Sequence, residues 1–219
     1  MAKNSIKSDY IDNHNMEKNQ SRFPDWNDIY KQDVTAMPWY HKKLDPDLED
    51  QIKKRHISTG KFLDLGTGPG TQAINLAKRG FDVTGTDLSK NAIKKAQKLD
   101  GKIKFLVDDI LHSKLQDKSF DYIFDRGCFH VLPVETHIQY AEKIRDLLTD
   151  DGLFFLKCFS INEKKLDYGP HRFSQKELKE IFKPFFTVKG IKDTVYQGTL
   201  DPMPQAIFVV MKKRSIKHQ

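Results

Sequence analysis

Phe62-Leu63-Asp64-Leu65-Gly66-Thr67-Gly68-Pro69-Gly70 is the stretch that decides the fold of this 219-residue chain. An apolar run ends in three glycines at alternate positions, and Thr71-Gln72-Ala73-Ile74 follows at once. That pattern reads as a β-strand turning sharply into a helix. Glycines at such a turn bring backbone against a ligand, because no Cβ stands between them. In a doubly wound sheet, the first strand-to-helix turn is where nucleotide-like ligands bind.

Working outward, strand and helix alternate. Strands are predicted at 61–65, 81–86, 103–107, 120–124 and 153–159, the last one following a turn at Asp150-Asp151-Gly152. Helices are predicted at 71–78, ended by Gly80, and after the Ser89 cap, with Ala92, Ile93, Ala96 and Leu99 on one face. A third helix spans 134–148 and places Ile138, Ala141, Ile144 and Leu148 together. Ser174 and Glu177 have capping-box spacing ahead of Leu178, Ile181 and Phe182. Closing strands at 185–191 and 205–211 flank a turn-rich loop at 197–204, which suits an antiparallel pair. Such alternation argues for an α/β fold with a mostly parallel, doubly wound sheet. Residues 1–22 read as a polar leader and 23–58 as a short N-terminal helical lid carrying Trp26, Tyr30, Trp39 and Tyr40. Residues 59–214 form the α/β domain, and 215–219 a tail.

The net charge is +7, but the lysines are scattered rather than striped along a helix, and nucleic acid is not an expected partner. Only Lys212-Lys213-Arg214 cluster, as a tail beyond the last strand. No run approaches the roughly 20 apolar residues of a membrane span, and the first residues lack the apolar block of a secretory signal. Cys128 and Cys158 have no metal-binding spacing. The expectation is a cytoplasmic protein, monomeric, without membrane or metal.

Glycines at 66, 68 and 70 differ from the G-x-G-x-x-G that seats a pyrophosphate. They suit a ligand with no phosphate and a charged amino-acid tail, whose ammonium Asp64 would face beside Leu65. Asp87, at the end of the second strand, can accept from both hydroxyls of an adenosine ribose, with Leu88 next to it. After the third strand, one carboxylate of Asp108-Asp109, with Asp109 favoured, can accept from an adenine amino group while the Ile110 N–H donates to the ring.

These residues resemble class I S-adenosylmethionine-dependent methyltransferases across roughly 61–212. The Gly66-Gly68-Gly70 loop, Asp87, Asp109 and the segment 147–156 match consecutive motifs. The resemblance implies seven strands in the order 3-2-1-4-5-7-6 with the last reversed, S-adenosylmethionine as cofactor and S-adenosylhomocysteine as product. A narrower likeness links Asp125-Arg126-Gly127, Met37-Pro38-Trp39 and Gly169-Pro170 to the thiopurine and thiol or halide methyltransferases, although Cys128-Phe129-His130 replaces their usual continuation. It implies that Asp125 and Arg126 line the cofactor's methionine end and that Trp39 faces the sulfonium, where cation–π attraction operates. His130 lies where an acceptor would enter, as a candidate general base. The implied acceptor is a small molecule, with a thiolate favoured because it needs little activation. An RNA or protein methyltransferase, or a domain that only binds the cofactor, are the alternatives.

Overall fold

β1 (Lys61–Leu65) lies inside a sheet built with β2 (Asp82–Asp87), β3 (Lys104–Val107), β4 (Phe120–Arg126), β5 (Leu148–Ser160), β6 (Arg172–Phe173), β7 (Phe186–Val195) and β8 (Gln205–Lys213). The computed structural model describes residues 25–163 and 169–214, so the leader and the 215–219 tail lie outside it. The strand order is β3-β2-β1-β4-β5-β8-β7, with the two-residue β6 paired to β5. β1 to β5 run parallel, and β8 is antiparallel to both β5 and β7. Without the short β6, this is the expected order with the last strand reversed.

Helices α1 (Trp26–Ile29), α2 (Pro46–Lys54), α3 (Thr71–Ala77), α4 (Lys90–Leu99), α5 (His137–Leu147) and α6 (Gln175–Phe182) cover the sheet and its edge. One apolar layer gathers Ile123, Phe129, Ile144, Phe154 and Phe182 on one face. A second gathers Leu48, Phe62, Leu76, Ile93 and Phe155 on the other. Ile29, Tyr30, Met37 and Ala92 form a small third cluster that fastens the lid to α4.

Four local expectations are corrected. Asp150–Gly152 belongs to β5, which begins at Leu148; a register shift against β4 between Phe120 and Tyr122 absorbs the irregularity. α5 buries His137, Tyr140, Ala141, Ile144 and Leu147, a face rotated away from Ile138, which is 51% exposed. Leu99 likewise ends exposed in the last turn of α4. Lys212 and Lys213 are strand residues rather than a tail: Lys213 Nζ donates to the Leu148 carbonyl at 2.7 Å, and Arg214 Nε to that of Phe186 at 2.8 Å. No helix among the described residues is long and apolar enough to cross a membrane.

Candidate active site

The carboxyl ends of β1 and β4 meet the lid at one crevice, and the ends of the parallel strands β2 and β3 lie along the same edge of the sheet. The turn after β1 takes positive φ at Gly68 (54°) and at Gly70 (82°). A Cβ on Gly68 would lie 2.7 Å from the Tyr30 hydroxyl, so the loop touches the lid there. A Cβ on Gly70 would meet Phe105 at 2.8 Å and Ala96 at 3.0 Å. Gly70 is therefore required by its positive φ and by packing within the core. Gly66 and Gly68 remain on the crevice wall.

Asp64 is buried, and its Oδ2 accepts from Thr67 Oγ1 at 2.5 Å and from the Ala73 N–H at 3.0 Å. Burial pushes its carboxyl up to about 7. Asp87 accepts from the Gly68 N–H (2.9 Å) on one oxygen and from the Ser89 N–H (2.8 Å) on the other, and burial pushes it up to about 6. A carboxylate offers about four acceptor positions, so Asp87 retains one on each oxygen.

Asp109 caps the turn at 110–112 through the Leu111 N–H at 3.0 Å and lies 2.9 Å from His112 Nδ1. Of the two acids at this strand end the sequence favoured Asp109, but the free acceptor is on its neighbour. Asp108 Oδ2 is buried without a hydrogen-bond partner among the described residues. An orphaned buried acceptor is costly unless something supplies a donor. Leu88 (59% exposed) and Val107 (47%) present large apolar surface beside these acids. The side chains of Leu65 and Ile110 are buried in the core, which leaves their backbone groups to offer.

An adenosine with a cationic amino-acid tail needs acceptors for its hydroxyls and amino group, apolar surface for its base, and a carboxylate for its ammonium. Asp87, Asp108, Leu88, Val107 and Asp64 are that set, so the residues present fit S-adenosylmethionine. The pocket beside them is walled by Tyr30, Met37, Trp39, Tyr40, Gln72 and Arg126. Trp39 and Trp26 meet edge to face, with centroids 5.9 Å apart.

Two expected site residues are reassigned. Asp125 is fully buried and accepts from the N–H groups of Gly127 (2.9 Å), Cys128 (2.8 Å) and Phe129 (2.9 Å), and from the Tyr140 hydroxyl. It folds the turn after β4 and has no place on the pocket wall. His130 is buried too, and its Nδ1 accepts from the Phe159 N–H at 3.2 Å. Burial, with Arg126 and His171 nearby, pushes its pKa down to about 3, so the ring is neutral. With Nδ1 engaged, the proton sits on Nε2, and neither nitrogen is placed to take one from an acceptor. Burial also pushes the Cys128 thiol up, which keeps it protonated.

Arg126, with a side chain only 7% exposed, is gripped rather than free. It donates to Asp45 Oδ2 (3.1 Å), the Trp39 carbonyl (3.1 Å) and the Gln197 carbonyl. Next to it lies Lys157, which the sequence reading did not single out. Its signal was a lysine inside the apolar run Leu153–Phe159, a place where a charge must find a partner.

Residues 62–152 match a family described as a methyltransferase domain. A 2-heptyl-1-hydroxyquinolin-4(1H)-one methyltransferase of Mycobacteroides abscessus is 29% identical over 160 residues, 70% of each chain. An EEF1A lysine methyltransferase 2 of Danio rerio is 26% identical over 182 residues, covering 74% of this chain and 73% of that one. An uncharacterized methyltransferase of Schizosaccharomyces pombe is 31% identical over 118 residues, 52% of this chain and 79% of its own length. Among solved structures, one from work on the conversion of a disulfide bond into a thioacetal group during echinomycin biosynthesis superposes with a TM-score of 0.73 at 22% identity. It covers 86% of this chain and 91% of that one.

Proposed function

The chain belongs to the class I S-adenosylmethionine-dependent methyltransferases, and from that premise we propose that it methylates a small molecule carrying a soft nucleophile, a thiol before others. In this reading residues 23–58 act as the lid of a catalytic domain spanning 59–214. Asp64 holds the cofactor's ammonium, Asp87 its ribose, and Asp108 with Asp109 its adenine, while Trp39 faces the sulfonium. The bound cofactor supplies an electrophilic methyl group on a positively charged sulfur.

The observation that carries the acceptor class is Arg126 on the wall of the roofed pocket. Although it pairs with Asp45, Arg126 belongs to a cluster in which three cations (Arg126, Lys157, Lys192) face two carboxylates (Asp45, Asp47), and that positive excess favours an acceptor that arrives as an anion. The other ionisable side chains lining the pocket are Tyr30, Tyr40 and Asp64, and Asp64, its Oδ2 held by Thr67 and Ala73, keeps Oδ1 for the cofactor's ammonium rather than serving as a base for the acceptor. A thiolate needs no base from the protein. What remains is to hold donor and acceptor in line and to keep water out, and the roof of Met37, Trp39 and Tyr40 does both. The quinolone methyltransferase relative supports a small acceptor.

The lysine methyltransferase relative favours a second reading, a protein acceptor, against which the covered pocket weighs. Methyl-labelled cofactor incubated with separate pools of small thiols, other small metabolites, folded proteins and total RNA tests the choice. Label is expected in the thiol pool. Label confined to protein or RNA contradicts the proposal.

A further inference from the structure

Beside the pocket lies a buried knot of charge that the cofactor contacts do not explain. Lys157, fully buried, faces Arg126 across the β4–β5 pairing. Its Nζ lies 2.7 Å from Asp45 Oδ2, 2.7 Å from Asp47 Oδ2 and 2.6 Å from Gln197 Oε1. Arg126 shares Asp45 Oδ2 and donates to the Trp39 and Gln197 carbonyls, with its guanidinium 4.4 Å from the centre of the Tyr196 ring. Asp47 is also held by Lys192 at 2.7 Å and by the Thr194 hydroxyl at 2.8 Å. Asp45 is completely buried and caps α2 through the N–H groups of Asp47 and Leu48.

Two cations at the ends of β4 and β5 thus bind two segments that cross the top of the sheet. One is the lid around Trp39 and Asp45, and the other is the β7–β8 connection around Gln197. These segments also meet directly: the Thr199 N–H donates to the Pro38 carbonyl at 3.0 Å. Gly198 packs so closely there that a Cβ on it would clash with the same Pro38 oxygen. Buried ion pairs hold only while every partner is in place, since an abandoned charge is strongly destabilising. Such a cluster holds firmly while its partners stay together, rather than yielding as a soft contact would.

We propose that Arg126 is the latch of the roof, positioned by Asp45 and Lys157, and that it must release Trp39 and Gln197 for the cofactor to enter and S-adenosylhomocysteine to leave. Met37, Trp39 and Tyr40 line the pocket and the Tyr30 hydroxyl lies against Gly68, so the closed roof covers the crevice. This inference rests on the assignment of the crevice as the cofactor site.

The test measures release of S-adenosylhomocysteine by stopped-flow displacement from the full chain and two variants. Arg126→Lys keeps the charge and loses the planar fork that reaches three acceptors at once. Gly198→Ala leaves every charge in place and pushes the two roof segments apart. Both are expected to release the ligand roughly tenfold faster, since such changes act mainly on dissociation. Circular dichroism identifies a variant that has not folded, in which case the other decides. Unchanged release from the folded variants overturns the latch while leaving the cofactor site intact. Absence of S-adenosylhomocysteine binding in the unmodified protein overturns the site assignment, and the latch with it.

Discussion

Cofactor affinity should rise with pH through neutrality, and Asp64 sets the size of the effect. Burial pushes its carboxyl up to about 7 in the free protein. An ammonium group binds the ionised form, so protonation of Asp64 competes with the ligand. With a pKa near 7, about one molecule in eleven is ionised at pH 6 and about ten in eleven at pH 8, which makes S-adenosylhomocysteine bind about tenfold more tightly at pH 8, or ~1.4 kcal/mol. Asp87, pushed up to about 6, changes affinity in the same direction but chiefly below this window. Isothermal calorimetry at pH 6, 7 and 8, in buffers of different ionisation enthalpy, reads both the affinity and the proton released. Asp64→Asn should bind more weakly at pH 8 and keep only the roughly twofold change between pH 6 and 8 that Asp87 supplies. Equal affinity of the unmodified protein at pH 6 and pH 8, or a tenfold slope that persists in the asparagine variant, refutes the reasoning.

The same carboxyl predicts how stability responds to pH without ligand. Asp64, Asp87 and Asp125 all have native pKa values raised above 3.8, so the native state binds more protons than the unfolded one between about pH 4 and 7. Thermal midpoints of the free protein should therefore fall as pH rises across that window. Asp87→Ala should weaken S-adenosylhomocysteine binding by about 1.5–3 kcal/mol, through loss of a charged acceptor, as calorimetry at pH 8 would show. Lys157→Met should lower the free energy of unfolding in urea by about 3 kcal/mol, because Asp45 and Asp47 lose the fully buried cation they share and keep only Arg126 and Lys192. Ser174→Ala should cost about 1 kcal/mol in the same assay, since Ser174 Oγ accepts from the Glu177 N–H at 3.2 Å and Glu177 reaches back to the Ser174 N–H at 2.7 Å.

The alternation of strands and helices was legible because it depends on local signals, a glycine turn and apolar periodicity, whereas the strand order followed only from the family resemblance. Helix faces were read less well. In α5 the apolar positions Ile138 and Leu148 suggested one stripe, while Tyr140 and His137, amphipathic residues that bury with polar partners, mark the real one. Asp125 and His130 were misassigned because position along the chain does not say which way a side chain turns. Four donors from the turn after β4 and Tyr140 claim Asp125, and a backbone N–H of β5 claims His130. Least legible was the Arg126–Asp45–Lys157 cluster, whose members are separated by 81 and 112 residues from Asp45 and meet only after the sheet has formed. Lys157 alone carried a hint, as a charge within an apolar strand.

A crystal structure of the protein with S-adenosylhomocysteine tests the central claim most directly. The ribose hydroxyls should lie within hydrogen-bonding distance of the Asp87 carboxylate, the amino group beside Asp64 and the sulfur under Trp39. Ligand bound elsewhere, with Tyr30 and Trp39 still closed over the glycine turn, contradicts it.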